Sequence, residues 1–255
     1  MIRENKMKQG LKEGKNYIGT FSKIIDPCVV ELFSMIGFDF FIIDNEHTQM
    51  SKESMVNLLR TSDISGIVPI VRIRENSRAQ VLQALDGGSL GIMVPETSTR
   101  EEVQFVVDNT KYGPLGKRGY TPSSRAAGYG FMNASEYALK ANENTMIVVY
   151  CETAKGIENI EEMLNVKGID VMFIGPMDLS QALGVTGQSK HPLVVEAMKN
   201  IIEKAKAAGI AVGTIAPDAK EAQRLMDMGV QVIGLSSDQG MIAYAGKQFM
   251  KELGR

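Results

Sequence analysis

Charged residues that close apolar runs are the first candidates for chemistry in this 255-residue chain. The run 38–44 leads into Asp44-Asn45-Glu46-His47. The run 67–73 carries Arg72 in otherwise apolar company. The run 145–152 ends on Glu152, and 169–174 leads into Gly175-Pro176-Met177-Asp178. A charge at such a place is costly unless it is paired, solvated or bound to a metal. Glu152 and Asp178 are the candidate metal ligands. Two carboxylates with open positions suit a hard divalent ion such as Mg²⁺ or Mn²⁺, which a 2-oxo acid would chelate through its carboxylate and ketone. A competing reading has both carboxylates capping helices that open at Ala154 and Leu179. His47 suits a general base or acid, or is a structural histidine satisfied by Asp44 or Glu46. Asp86 is the candidate to orient it. Arg72 needs an anion, which is either Asp44 or Glu46 or a substrate oxyanion. Arg74 reads as solvated, beyond the strand. His191, before Pro192, reads as part of a helix start.

These residues need elements to position them. Eight short apolar runs, at 17–22, 38–44, 67–73, 89–95, 145–152, 169–174, 210–215 and 230–236, read as strands. They alternate with helix candidates at 27–36, 52–63, 77–85, 99–111, 154–165, 192–208, 218–228 and 239–253. Asp26, Ser77, Thr99 and Asp218 offer N-caps, and Gly37, Gly209 and Gly229 offer C-terminal stops. Eight βα units with doubly buried strands predict an α/β fold, a (β/α)8 barrel forming one domain over 1–255. A doubly wound sheet is the runner-up, but no GxGxxG follows the first strand. In a barrel the strand-end residues share one mouth, and Asp86-Gly87-Gly88 is expected there too. The long connection 112–135 reads as a lid or loop anchor rather than a disordered segment, because it holds Tyr120, Tyr129 and Phe131. Its glycine-rich basic stretch 113–119 is not a Walker A motif.

A net charge of −2 gives no reason to expect nucleic acid or an anionic membrane as partner. No apolar run reaches the length of a membrane span. Residues 1–14 are polar and lysine-rich without an apolar core, unlike a secretory signal. Cys28 and Cys151 read as two reduced, buried thiols, and the expected location is cytoplasmic.

Several longer motifs resemble one family. They are GFDFFIIDNEH at 37–47, PIVRI at 69–73, LDGGSLGIMVPETST at 85–99, KYGPLGKRGY at 111–120, VVYCETAKGIENIEEM at 148–163 and GIDVMFIGPMDLSQALG at 168–184. Together they look like the HpcH/HpaI aldolase family of 4-hydroxy-2-oxo-heptanedioate and 2-dehydro-3-deoxy-sugar-acid aldolases, along essentially the whole chain. The resemblance implies a (β/α)8 barrel assembled as a homohexamer, a trimer of domain-swapped dimers, with the last helix (239–253) packed on a neighbouring subunit. It implies a divalent metal on Glu152 and Asp178, Mg²⁺ first and Mn²⁺ or Co²⁺ as substitutes. Arg72 falls on the arginine that stabilises a pyruvate enolate, His47 on the catalytic histidine and Asp86 on the carboxylate that raises its basicity. Gly175, Pro176, Met177 and Asp178 fall on the loop whose backbone amides hold the pyruvate carboxylate, where Pro176 lines the site without an N–H to donate. Tyr150 departs from the pattern, which has glutamine there; its phenol is bulkier and can donate a hydrogen bond. The implied reaction is metal-dependent retro-aldol cleavage of a 4-hydroxy-2-oxo acid to pyruvate and an aldehyde. No Schiff-base lysine is needed, and no strand-end lysine is expected, since Lys155 lies in the following helix. Two alternatives stand beside it. One is a carbon–carbon lyase of the citrate or malyl-CoA type, for which Lys111, Lys117 and Arg118 offer the one basic patch. The other is a non-catalytic barrel that binds an oxo acid.

Overall fold

The computed structural model describes residues 3–255. The chain runs α1 (Lys6–Lys12), β1 (Tyr17–Ser22), α2 (Cys28–Ile36), β2 (Phe40–Asp44), α3 (Lys52–Ser65), β3 (Val68–Arg72), α4 (Arg78–Asp86), β4 (Gly91–Val94) and α5 (Arg100–Thr110). It continues α6 (Ala134–Asn144), β5 (Met146–Tyr150), α7 (Ala154–Glu158), α8 (Ile160–Leu164), β6 (Val171–Ile174), α9 (Pro176–Ala182), α10 (Pro192–Ala207), β7 (Ala211–Ala216), α11 (Ala219–Asp227), β8 (Val232–Ser237) and α12 (Asp238–Glu252). The eight strands close in sequence order, all parallel, with β1 paired to both β2 and β8. All eight expected strands form, and the barrel is confirmed.

Strand alternation divides the core into two layers. Phe21, Phe40, Ile42, Ile70, Met93, Val148, Tyr150, Val171, Phe173 and Val232 fill the barrel interior. Phe41, Ile43, Val71, Ile92, Val149, Met172, Ile174 and Val212 pack outward against the helices. The helix starts follow from the caps: Ser77, Thr99 and Asp218 accept from the amides of Gln80, Glu102 and Glu221, and Thr99 with Glu102 completes a capping box.

Helix α1 was not anticipated. Its Met7 and Leu11 insert into the inner layer and close the base of the barrel. Helix α6 was not anticipated either; it follows the long connection, and its Tyr137 packs edge to face on Tyr112 at 5.9 Å.

Three expectations are corrected. The connection after α5 is not a lid. Helices of a βα barrel run back against the strands, so α5 ends at the base of the barrel, and Lys111 there donates to the carbonyls of Asn142 and Thr145. For the same reason Asp86, the last residue of α4, does not share the mouth with the strand ends. Cys28 is exposed, at the first turn of α2, while Cys151 is buried.

Candidate active site

Residues that alternate inward at the strand tops converge on one cavity of about 600 Å³. Its walls include Lys23, His47, Arg72, Tyr150, Gly175 and Asp178. The parallel register of β2 and β3 sets Asp44 directly beside Arg72. The Arg72 guanidinium therefore grips the fully buried Asp44 with two bonds, Nε to Oδ1 at 3.1 Å and Nη2 to Oδ2 at 2.7 Å. Its remaining nitrogen, Nη1, lies 3.0 Å from Glu46 Oε2 and donates to the Tyr150 hydroxyl at 3.4 Å. Burial works against both charges of the Asp44–Arg72 pair. For Asp44, the Arg72 hydrogen bonds and charge win and hold its carboxyl below the usual range. For Arg72, Tyr150, Asp44 and Glu46 win and hold the cation firmly charged. Arg72 thus has both of its expected carboxylate partners and still borders the cavity.

His47 follows β2 through a short loop. Its amide donates to Asp44 Oδ1 at 3.1 Å, which fixes the backbone, while its ring stands half-exposed in the cavity wall with Nε2 3.7 Å from Glu46 Oε2. Asp86 is not beside it within the chain; its carboxylate pairs with Arg118 at 2.7 Å. Glu46 is the carboxylate next to the imidazole. Burial, with Asp44 and Asp178 nearby, pushes its carboxyl above the usual range despite Arg72. Arg74 is exposed, as expected, but not idle: its Nε donates to the Asn45 carbonyl at 2.8 Å and ties down this loop.

Glu152 stands two residues past the end of β5 and is buried. Its Oε1 accepts the Glu96 amide at 3.0 Å. It does not cap the next helix, because the Thr153 hydroxyl accepts the Gly156 amide in that role. Asp178 sits in the first turn of α9, a helix with no side-chain cap. Burial pushes the Glu152 carboxyl up to about 8, against the Glu96 amide, and the charges of Asp178 and Glu46 add to the push. A buried carboxylate beside like charges is the environment a divalent cation relieves. Gly175 makes room for it: a Cβ there would stand 2.1 Å from Glu152 Oε2. Among the described residues no group of three His, Cys, Asp or Glu is arranged to hold an ion. Glu152, buried beside the charges of Asp178 and Glu46, and Asp178 itself fit a hard cation that takes its other oxygens from substrate and water.

Tyr150 is buried against Phe173, with ring centroids 5.0 Å apart. Burial drives its phenol pKa up, so the neutral hydroxyl faces Arg72. Several wall residues escaped the sequence reading, among them Lys190, Glu221 and Arg224 and two that continue the inward parity of their strands, Lys23 and Ser236. Lys23 follows β1 with the same inward parity as Phe21, so a strand-end lysine is present after all. Ser236, near the end of β8, has a φ of 54°. Counting alternate residues from Phe21 and Val232 would have found both.

Comparison with known proteins adds a family. The HpcH/HpaI aldolase/citrate lyase profile matches residues 17–245. A curated 5-keto-4-deoxy-D-glucarate aldolase of Escherichia coli O9:H4 (strain HS) is 32% identical over 241 residues, covering 94% of this chain and 93% of its own. The crystal structure of an HpcH/HpaI aldolase/citrate lyase family protein from Burkholderia cenocepacia J2315 superposes with a TM-score of 0.93 at 29% identity, over 98% of this chain and 100% of the other. An HpcH/HpaI aldolase structure from Desulfitobacterium hafniense DCB-2 gives a TM-score of 0.92 at 30% identity, over 97% and 96%.

Proposed function

Since the chain belongs to the HpcH/HpaI aldolase/citrate lyase family, we propose that it is a carbon–carbon lyase, a class II aldolase that reversibly cleaves a 4-hydroxy-2-oxo acid into pyruvate, or a related 2-oxo acid, and an aldehyde. The observation that carries this reading is that Arg72, His47 and Asp178 line one cavity at the barrel mouth, with the buried Glu152 directly behind the lining residue Gly175. Glu152 and Asp178 would hold a divalent ion, Mg²⁺ in the first instance and Mn²⁺ or Co²⁺ as substitutes. When bound, the ion supplies Lewis-acid stabilisation of negative charge on the 2-oxo acid.

The chain's own residues supply the rest. Arg72 brings a fixed cation to the oxygen on which enolate charge develops, and its bonds to Asp44 keep it from reorganising during the reaction. The first-turn amides of α9, which lack helical partners, receive the carboxylate of the 2-oxo acid alongside Gly175, Pro176 and Met177. His47 moves the proton to or from the hydroxyl of the aldol carbon, with Glu46 as the neighbouring carboxylate. Tyr150 lines the floor and takes a hydrogen bond from Arg72. Lys111, Lys117 and Arg118 do not support an acyl-CoA substrate. Lys111 is buried on backbone carbonyls, Arg118 on Asp86, and Lys117 pairs with Asp108 at 2.6 Å, all at the other end of the barrel.

The protein is expected to work as a homo-oligomer, a hexamer built from dimers that exchange α12. No helix among the described residues is long and apolar enough to cross a membrane, and a cytoplasmic location is proposed. The central test is exchange of pyruvate methyl protons in deuterated water. Exchange should require a divalent ion, stop on chelation and be abolished in Glu152→Gln. Exchange that persists in chelator would overturn the metal role.

A further inference from the structure

Lys23 stands one residue past β1, and its side chain borders the same cavity as Arg72. Its Nζ lies 3.4 Å from Asp44 Oδ2. That distance allows an ion pair and is long for a hydrogen bond. Asp44 does not depend on it, because Arg72 already donates twice and the His47 amide once. The ammonium therefore keeps donors to spend on a ligand. As the cationic half of an ion pair it is suited to hold an anion rather than to attack a carbonyl.

The position of Lys23 is fixed rather than incidental. Asp238, buried at the start of α12, accepts the amides of Lys23 and Ile24 through one oxygen, at 2.7 and 2.8 Å. Ser236 lies on the adjacent strand β8 and lines the same wall. Its left-handed backbone is uncommon for a residue with a side chain, and such strain gathers at ligand sites.

Topology gives this wall its role. In a closed barrel of eight strands in sequence order, β1 lies across the mouth from β5. Glu152 follows β5 and Asp178 follows β6. A 2-oxo acid anchored there by its first two carbons points its far end toward β1 and β8. The cavity of about 600 Å³ has room for that extension.

We propose that Lys23 is a specificity-determining residue that receives an anionic group carried by the aldehyde half of the substrate. This rests on the aldolase reading above. The test is condensation of pyruvate with two four-carbon aldehydes, 4-oxobutanoate and butanal, by the full-length protein with Mg²⁺. The wild type should favour 4-oxobutanoate. Lys23→Met should reduce that preference about tenfold or more, the range of a lost charged hydrogen bond, mainly through KM for 4-oxobutanoate. Lys23→Arg should restore most of it. If Lys23→Met does not fold, the ratio is read on Lys23→Gln. A preference unchanged by the substitution, or an equal loss for both aldehydes, overturns the assignment. A wild type that exchanges pyruvate protons but shows no preference overturns the Lys23 subsite alone. A wild type that neither exchanges nor condenses overturns the aldolase reading, and the subsite with it.

Discussion

Arg72 shows how much one residue type at one place can reveal. An arginine inside an apolar strand must meet an anion, and the sequence left two choices, a structural carboxylate or a substrate. The structure gives it the carboxylate and still leaves it on the cavity wall. Nε and Nη2 belong to Asp44, while Nη1 turns to the cavity with Glu46 and Tyr150. The sequence could not decide this, because it depends on the register that sets residue 44 against residue 72. Arg72→Met should therefore damage more than catalysis. It leaves a fully buried carboxylate with only the Lys23 ammonium at 3.4 Å and the His47 amide, and removing one partner of a buried pair typically costs up to about 3–5 kcal/mol. Urea unfolding should show a loss of that order, and adding Asp44→Asn should recover part of it. Pyruvate proton exchange should fall by about a hundredfold or more in the single variant, as for loss of a group aimed at developing charge. Recovery of exchange together with stability in the double variant would reduce Arg72 to a structural partner of Asp44.

At the scale of elements, strand parity carried most of the site. Apolar runs ending in charge located β2, β3, β5 and β6, and the inward alternation within those strands explains why Asp44, Arg72, Tyr150 and Glu152 meet. Parity was not carried into β1 and β8, where the inward residues Lys23 and Ser236 lie near the strand ends without a conspicuous motif. Within one chain Asp86 lies away from the mouth for a directional reason. It closes a helix rather than a strand, and the returning helices of a barrel end at its base. Helix α1 is hard to read because 1–14 is polar and lysine-rich, although Met7 and Leu11 fall four residues apart on one face. The start of α9 carries its own prediction. Gly175 has an ordinary negative φ of −91°, so alanine is tolerable to the backbone there. What alanine lacks is space, since its methyl would stand 2.1 Å from Glu152 Oε2. Gly175→Ala should fold with nearly wild-type Tm and need about tenfold or more Mg²⁺ for half-maximal proton exchange, as for disturbed support of a metal ligand. Unchanged metal activation would separate Glu152 from the ion.

For the whole molecule, α12 is the element that the chain alone does not explain. It is a 15-residue helix whose buried residue is Asp238, in its first turn. Ile242, Tyr244 and Phe249 are 63%, 69% and 64% exposed. A helix of this length is marginal in water without a packed face, and apolar side chains in this density mark a contact with another chain. The oligomer proposed above would supply its partner, a second copy. The first turn of the same helix holds the amides of Lys23 and Ile24 through Asp238, so an assembly built through α12 would share one element with the mouth of the barrel. Replacing Ile242, Tyr244 and Phe249 with serine removes three exposed apolar side chains and leaves Asp238 in place. Light scattering after gel filtration should show the wild type as a hexamer and the triple variant as a smaller species. The variant should also lose activity with 4-oxobutanoate more than proton exchange, because a loosened α12 frees the β1 loop while Glu152 and Asp178, across the barrel, keep their positions. A wild type that elutes as a monomer would remove the need for a partner. An assembly unchanged by the three serines would move the interface away from α12.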